Sequence, residues 1–573
     1  MTEFSEGTSL RELSISPPLR MGLSALSALL LAACSGGGDG GPSPAATAPT
    51  ATAPAPTTSG ATTFTPGVFL SSEQFEAQCE MPRTGRDIEG NTFPDEAGST
   101  LLENFWLRSW TNETYLWNDA VPDQDPAAFD NRLDYFDVLI TPELTPSGKP
   151  LDDFHFSQPT DEFLASRNSA PRPRYGVSFV ALSSTVPRDF RVRFTEPNSP
   201  ASEVVLGQPN LVRGTRILEI DGLDFVNATD DAEVDALNAA LFPTKVGETH
   251  TFVVQDPGSN DTRTITLTAA NIAQSPVNRT SIIDTPTGRV GYVLFNTFSP
   301  FSSEEELSVA IEQLSDAGVT DLVLDMRYNG GGLLAVAAQL GYMVAGPSRT
   351  GGRDFERLRF NNDAGNTNPI DGSFNAPTPF FDQGLGFSLP NGAPLPTLNL
   401  PRVFVLSTES TCSASESVIN SLRGIGVEVV LIGTTTCGKP FGFFPTDNCG
   451  ETYFTIQFQG VNDIGFGDYA DGFIAANSDE TFGVRLPGCE VPDDFSRELG
   501  DVNEALLAAA LQFREDGSCP PVPTAAGQTA NGSSSVGAAS GNFLAEPTAR
   551  IAATDATELE AFLESNRDMR MPF

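Results

Sequence analysis

Histidine occurs only twice in 573 residues, as His155 and His250, and there is no Cys-x-x-Cys pair. Structural zinc sites draw on such pairs and on imidazoles, so a metal centre fits poorly, and no metal or other cofactor is expected. Positive charge is also scarce: 33 Lys and Arg stand against 74 Asp and Glu, a formal net charge of −41. Phosphate backbones repel such a polyanion, which argues against nucleic acid as a partner. The N-terminal apolar run, "MGLSALSALLLAAC", is too short for a membrane-spanning helix.

What is present suits a multidomain exported protein, with 39 % apolar residues for two or three real cores. Arg20 precedes about thirteen apolar or small residues and then Cys34. Residues 1–33 read as a signal peptide, and the small residues before Cys34 resemble the bacterial lipobox, whose cysteine carries lipid. A lipid anchor at Cys34 and a place in the bacterial periplasm or on the outer membrane are therefore expected. A chance cysteine after an ordinary signal peptide is the plainer alternative. Residues 34–70, rich in Gly, Pro, Ala and Thr, form a flexible tether. The other six cysteines are even in number, as disulfides require. Nearness in sequence favours Cys437 with Cys449 and Cys489 with Cys519.

Residues 71–168 read as a helical domain, with Leu101, Leu102, Phe105, Trp106 and Trp110 at helical spacing and "FDNRLDYFDVLI" continuing the pattern. Residues 169–272 change to strand-sized alternations such as "YGVSFVAL", "FRVRFTE" and "RTITLTA", a β-rich module. Residues 273–516 alternate strand and helix, which argues α/β packing around a buried sheet. Residues 517–573 are a low-complexity tail with a short helix near its end.

Three stretches of the α/β part carry chemistry. Gly330, Gly331 and Gly332 in "RYNGGG" let backbone N–H groups approach an anion near a helix start, and no nucleotide-binding pattern occurs there. "RVFVLSTESTCSASESVINSL" runs from strand through turn to helix. Its Ser413-x-x-Glu416 has the form of a capping box, which by itself needs no catalysis. Downstream, Lys439 lies near Phe441, Phe443 and Phe444, with no acidic residue between Glu428 and Asp447. Such apolar surroundings favour the uncharged amine, a general base for a serine hydroxyl. Both histidines are far away in sequence, so a Ser-Lys dyad is favoured over a Ser-His-Asp triad. Cys412 is a second candidate nucleophile, disfavoured because a thiol in an oxidising compartment pairs.

The helical segment, the β-rich module, "DMRYNGGG", "SASE" and "GKP", in this order, resemble the C-terminal processing (tail-specific) peptidases over about residues 95–515. The resemblance implies a multidomain α+β chain: an N-terminal helical domain, a PDZ-like domain and an α/β protease core of the ClpP/crotonase-like type. It implies Ser413 as nucleophile, Lys439 as base, and an oxyanion hole from Gly331 or Gly332 with Ala414. Tyr175, Gly176, Val177, Ser178 and Phe179 resemble the PDZ carboxylate-binding loop. "EPNSPASEVV" looks like the start of a PDZ helix, and "LVRGTRILEIDG" like a family strand in which Thr215 replaces an acidic residue. His155 resembles a family position before the PDZ domain and is read as structural.

Three departures stand out. Phe443 replaces a glutamine four residues after the lysine, so Gln457 or Gln459 is the candidate for orienting Lys439. Serine and lysine are 26 positions apart (413 to 439), one more than the family pattern. Cys437 replaces a phenylalanine, which suggests a disulfide near the site. The expectation is a lipid-anchored endopeptidase that takes exported polypeptides by their free C-termini. The alternative is a PDZ-bearing adaptor that no longer turns over.

Overall fold

The computed structural model describes residues 63–168 and 171–521. The expectations for the signal peptide, Cys34, most of the tether and nearly all of the tail lie outside them. No helix among the described residues is long and apolar enough to cross a membrane.

Helix α1 (Thr100–Thr114) starts where the Ser99 side chain accepts a hydrogen bond from the Leu102 N–H, satisfying a donor the helix leaves free. Phe105, Trp106 and Trp110 are buried, with the two indoles stacked 5.1 Å apart. The stretch expected to continue the helical pattern forms a short helix at Arg132–Phe136, whose Tyr135 and Phe136 pack against α1. Strand β1 (Phe156–Pro159) leaves this region to pair with the core.

The β-rich module consists of β2 (Val177–Ser183), β3 (Asp189–Thr195), β4 (Arg216–Ile220), α2 (Asp231–Leu241), β5 (Thr249–Gln255) and β6 (Thr262–Thr268). Its antiparallel sheet has the order β6-β5-β4-β3-β2, and Val234, Leu237 and Leu241 of α2 pack against Phe179, Phe190 and Phe252. β2 is an edge strand, paired only with β3 among the described residues. No helix forms at "EPNSPASEVV". Ser199 and Ser202 hydrogen-bond with one another's backbone in a turn, and Val204–Val205 pairs with Gln208–Pro209, a local side-chain alternative to helix. Thr215 is buried, and its hydroxyl donates to Asp256 at 2.9 Å, so a turn contact survives without the acidic residue.

The α/β part contains β7 (Val277–Thr285), β8 (Gly288–Phe295), α3 (Ser303–Asp316), β9 (Asp321–Asp325), α4 (Leu334–Ala345), β10 (Arg402–Ser407), α5 (Ala414–Gly424), β11 (Glu428–Gly433), β12 (Glu451–Phe454), β13 (Gly488–Glu490) and α6 (Ala505–Asp516). The main sheet runs β7-β8-β9-β10-β11-β13, parallel from β8 onward. Helices α3, α4 and α5 cover one face and α6 the other, which is why β9 and β10 read as unbroken apolar runs. β12 pairs with β1.

Cys489 pairs with Cys519 as expected, whereas Cys437 bonds to Cys412 and Cys449 to Cys79. Nearness in sequence misleads here because Cys449 lies in the turn entering β12, whose partner strand comes from the N-terminal region.

Buried Arg327 fixes the turn after β9. Its guanidinium donates to Asp325 at 3.0 Å, to Asp493 at 2.8 Å and to Glu504, which caps α6, at 2.9 Å. Arg327→Met is expected to lower the unfolding free energy by about 3–5 kcal/mol, because Asp325 and Glu504 lose their buried counter-charge; urea unfolding checks this. Burial alone would raise the Asp493 carboxyl, but Arg213, Arg327 and Tyr328 hold it below its ordinary value. A carboxyl depressed on folding stabilises above its unfolded pKa and loses that contribution as pH falls through the folded one. Asp493 therefore adds to acid lability below about pH 4.

Candidate active site

The ends of three parallel strands meet at one edge of the main sheet, where open α/β sheets bind ligands. β9 leads into the glycine turn, β10 into Ser413 and α5, and β11 into the loop that carries Lys439. The segments are cross-linked by hydrogen bonds. Cys412 N–H and Ser415 Oγ both donate to the Asn329 carbonyl at 3.0 Å, and Cys437 N–H donates to the Thr411 carbonyl at 3.1 Å. The Cys412–Cys437 disulfide, with Cα atoms 5.2 Å apart, joins the residue before Ser413 to the lysine loop.

Ser413 is buried, with φ 55° and ψ −114°, a region few non-glycine residues occupy and one associated with functional sites. Its Oγ has no hydrogen-bond partner among the described residues. Across the Ser413-x-x-Glu416 box, Ser413 N–H donates to Glu416 at 3.1 Å.

Glu416 does more than cap. The oxygen that accepts from Ser413 N–H also accepts from Lys439 N–H at 2.8 Å, while the other takes Gly438 N–H at 2.9 Å and Thr436 Oγ1 at 2.6 Å. One buried carboxylate thus fixes the backbones of both candidate dyad residues. Burial raises its pKa despite these donors.

Lys439 is buried, its Nζ 4.4 Å from the Phe443 ring centroid and 4.6 Å from that of Phe154. Phe443, in the position of the family glutamine, therefore still faces the lysine, though with an aromatic surface. Neither Gln457 nor Gln459 hydrogen-bonds to it. Gln457 accepts from Phe444 N–H at 2.7 Å, and its amide nitrogen lies 3.4 Å from Thr114 Oγ1; Gln459 donates to the Gly467 carbonyl at 3.1 Å. The reason is topological: both belong to a strand region whose polar side chains are used by neighbouring segments.

A Cβ on Gly331 (φ 113°) would lie 2.8 Å from Ser413 Cβ and 3.0 Å from Ala414 N, so only glycine fits there. Its own N–H donates to Asn329 Oδ1 at 2.9 Å, which removes Gly331 from the candidate donors. The N–H groups of Gly332 and Ala414 have no acceptor among the described residues.

His155 is buried and held at both nitrogens, by the Phe136 carbonyl at 2.9 Å and Thr455 Oγ1 at 3.1 Å, and burial lowers its pKa. In the β-rich module, Tyr175 donates its hydroxyl to the Ala240 carbonyl at 3.0 Å. Gly176 is needed because a Cβ would meet Ser199 at 2.2 Å, and Val177, Ser178 and Phe179 begin the edge strand β2. Sequence reasoning missed Phe154 and the second role of Glu416. Both are contacts between segments far apart in the chain, and only the Ser-x-x-Glu spacing hinted at the latter.

Residues 289–447 match peptidase family S41, and residues 103–157 match the S41 N-terminal domain. Carboxyl-terminal-processing proteases of Picosynechococcus and Synechocystis are 29 % identical over 245 residues and 34 % identical over 136 residues. The first match covers 42 % of this chain and 49 % of the relative; the second covers 24 % and 29 %. The chain thus spans about half the length of the first relative and under a third of the second. The crystal structure of a Bacteroides fragilis protein assigned to the S41 proteases superposes with a TM-score of 0.54 at 22 % identity, over 75 % of this chain and 99 % of the other. That likeness is one of fold.

Proposed function

We propose that the chain, which matches family S41 and resembles carboxyl-terminal-processing proteases, is a serine endopeptidase with Ser413 as nucleophile and Lys439 as general base. The observation that carries this reading is the shared carboxylate of Glu416, which holds Ser413 N–H and Lys439 N–H together. In the proposed reaction the neutral lysine amine takes the Ser413 proton as Oγ attacks the scissile carbonyl. The N–H groups of Gly332 and Ala414 receive the developing oxyanion. The lysine then gives its proton to the leaving amine, and a water molecule, deprotonated in turn, hydrolyses the acyl-enzyme.

The β-rich module acts in this reading as a PDZ domain. A substrate adds to the open edge of β2 as an extra strand, and the loop at Tyr175–Phe179 receives its terminal carboxylate. Its substrates are polypeptides with free, apolar C-termini. The lipobox-like Cys34 and the tether extend the proposal to an exported enzyme anchored by lipid.

A second reading, a C-terminus-binding protein without turnover, draws on Phe443 and Phe154. Their faces attract an ammonium, the form of lysine that is not a base. The purified chain is expected to cleave an unfolded protein and to be modified at Ser413 by a fluorophosphonate, with a substrate bearing a free C-terminus cleaved faster than its amidated twin. Binding with neither cleavage nor modification would instead establish the second reading. Equal rates for the twins would remove the module from substrate capture.

A further inference from the structure

At the opposite end of α5 from Ser413 lies a cavity of about 400 Å³ lined by Arg423, Val427, Val429, Phe466, Leu486 and Pro487. Arg423 is in the last turn of the helix. Ten residues separate it from Ser413, so at 1.5 Å per residue the cavity stands about 15 Å from the candidate nucleophile. It is a separate place from the proposed active site.

Arg423 lacks the carboxylate partner that many arginines of this chain have. Arg83, Arg108, Arg213, Arg263, Arg327 and Arg514 all pair with carboxylates, as expected where acidic residues outnumber basic ones by 74 to 33. Arg423 makes no ion pair and no side-chain hydrogen bond among the described residues, and its Nη1 is buried without a partner. The rings of Phe466 and Phe473, each 5.4 Å away, hold the guanidinium. Burial lowers its pKa, with no neighbouring charge acting against that. Glu428 also borders the cavity but is exposed and does not pair with the arginine. The other polar lining group, Asn462, is satisfied by Asn420 and Phe466. Arg423 is partly exposed, but a guanidinium nitrogen buried without an acceptor is costly, and the group that relieves it best is a carboxylate, taken in two parallel hydrogen bonds.

We propose that this cavity binds a carboxylate carried on an apolar group, with the carboxylate on Arg423 and the apolar group against Phe466, Leu486 and Pro487. The C-terminal residue of an apolar peptide and a fatty acid share that chemistry. The inference stands independently of the dyad and of the PDZ reading.

Octanoate is a suitable probe because it has no peptide backbone with which to extend β2. Calorimetry on the full chain is expected to show octanoate binding at one site and octanol at least tenfold more weakly. Arg423→Gln is expected to lose at least tenfold in octanoate affinity. Because that variant can also lose stability, a photoreactive fatty acid on the unaltered chain gives a second measurement, with label expected on residues 423–429 or 484–487. Competition then separates the sources. Displacement of octanoate by N-acetyl-Leu-Phe acid but not by its amide points to peptide C-termini, and failure of the acid to compete points to fatty acids. Equal binding of octanoate and octanol, or label elsewhere, would overturn the proposal and leave Arg423 as a cation serving only the carbonyl end of α5.

Discussion

Replacing Ser413 with alanine is expected to lower kcat on an unfolded polypeptide by about 10⁴–10⁶-fold, the scale on which removal of an activated serine acts. KM should change little, since the hydroxyl reacts with the substrate rather than holding it. The hydroxyl is an orphan in the resting protein, buried and with no hydrogen bond among the described residues, so its removal breaks no interaction that supports the fold. Loss of activity should come with a thermal unfolding midpoint within a few degrees of the parent's. Initial rates measured by gel densitometry, beside a melting curve, test both halves. Retention of more than a few per cent of the rate would assign the nucleophile elsewhere. Cys412 is not the substitute, because its sulfur is bonded to Cys437.

Lys439→Arg is expected to cost about 10²–10⁴-fold in kcat/KM, the usual contribution of a general base. Arginine keeps the positive charge but holds its proton at any workable pH, so it cannot accept one from Ser413. With lysine in place, the rate should rise from neutral to alkaline pH as the amine loses its proton; the arginine variant should lack that rise. On the acid side a second group enters. The Glu416 carboxyl has a raised pKa, and as pH falls through it the added proton weakens the acceptor that Ser413, Gly438 and Lys439 share. A pH profile of kcat/KM for both proteins separates the two groups, since only the alkaline limb depends on residue 439. An arginine variant with the parent's full profile would remove Lys439 from the reaction.

Much of this site was legible in the sequence because it rests on local patterns. The apolar runs that became β9, β10 and β11 locate the sheet, and the short segments after each, "RYNGGG", "TESTCSASE" and "TTTCGK", are the three that meet. The strand alternation of the β-rich module was equally plain. What failed depends on pairing across long separations. Glu416 reaches the Lys439 loop through the fold, the ring of Phe154 comes from the N-terminal region, and Cys449 finds Cys79 rather than the cysteine twelve positions before it (437 to 449). The Gly331 amide illustrates a subtler limit. A glycine turn announces close approach, but which of its N–H groups remains free is decided by the side chain of Asn329.

The Cys79–Cys449 bond closes a covalent ring around most of the folded chain, its ends 370 positions apart. The whole β-rich module, Ser413 and Lys439 all lie on this ring. One broken peptide bond inside it linearises the ring without dividing the molecule, and a piece comes free only after two breaks. A single nick on this ring thus leaves the protein one covalent object.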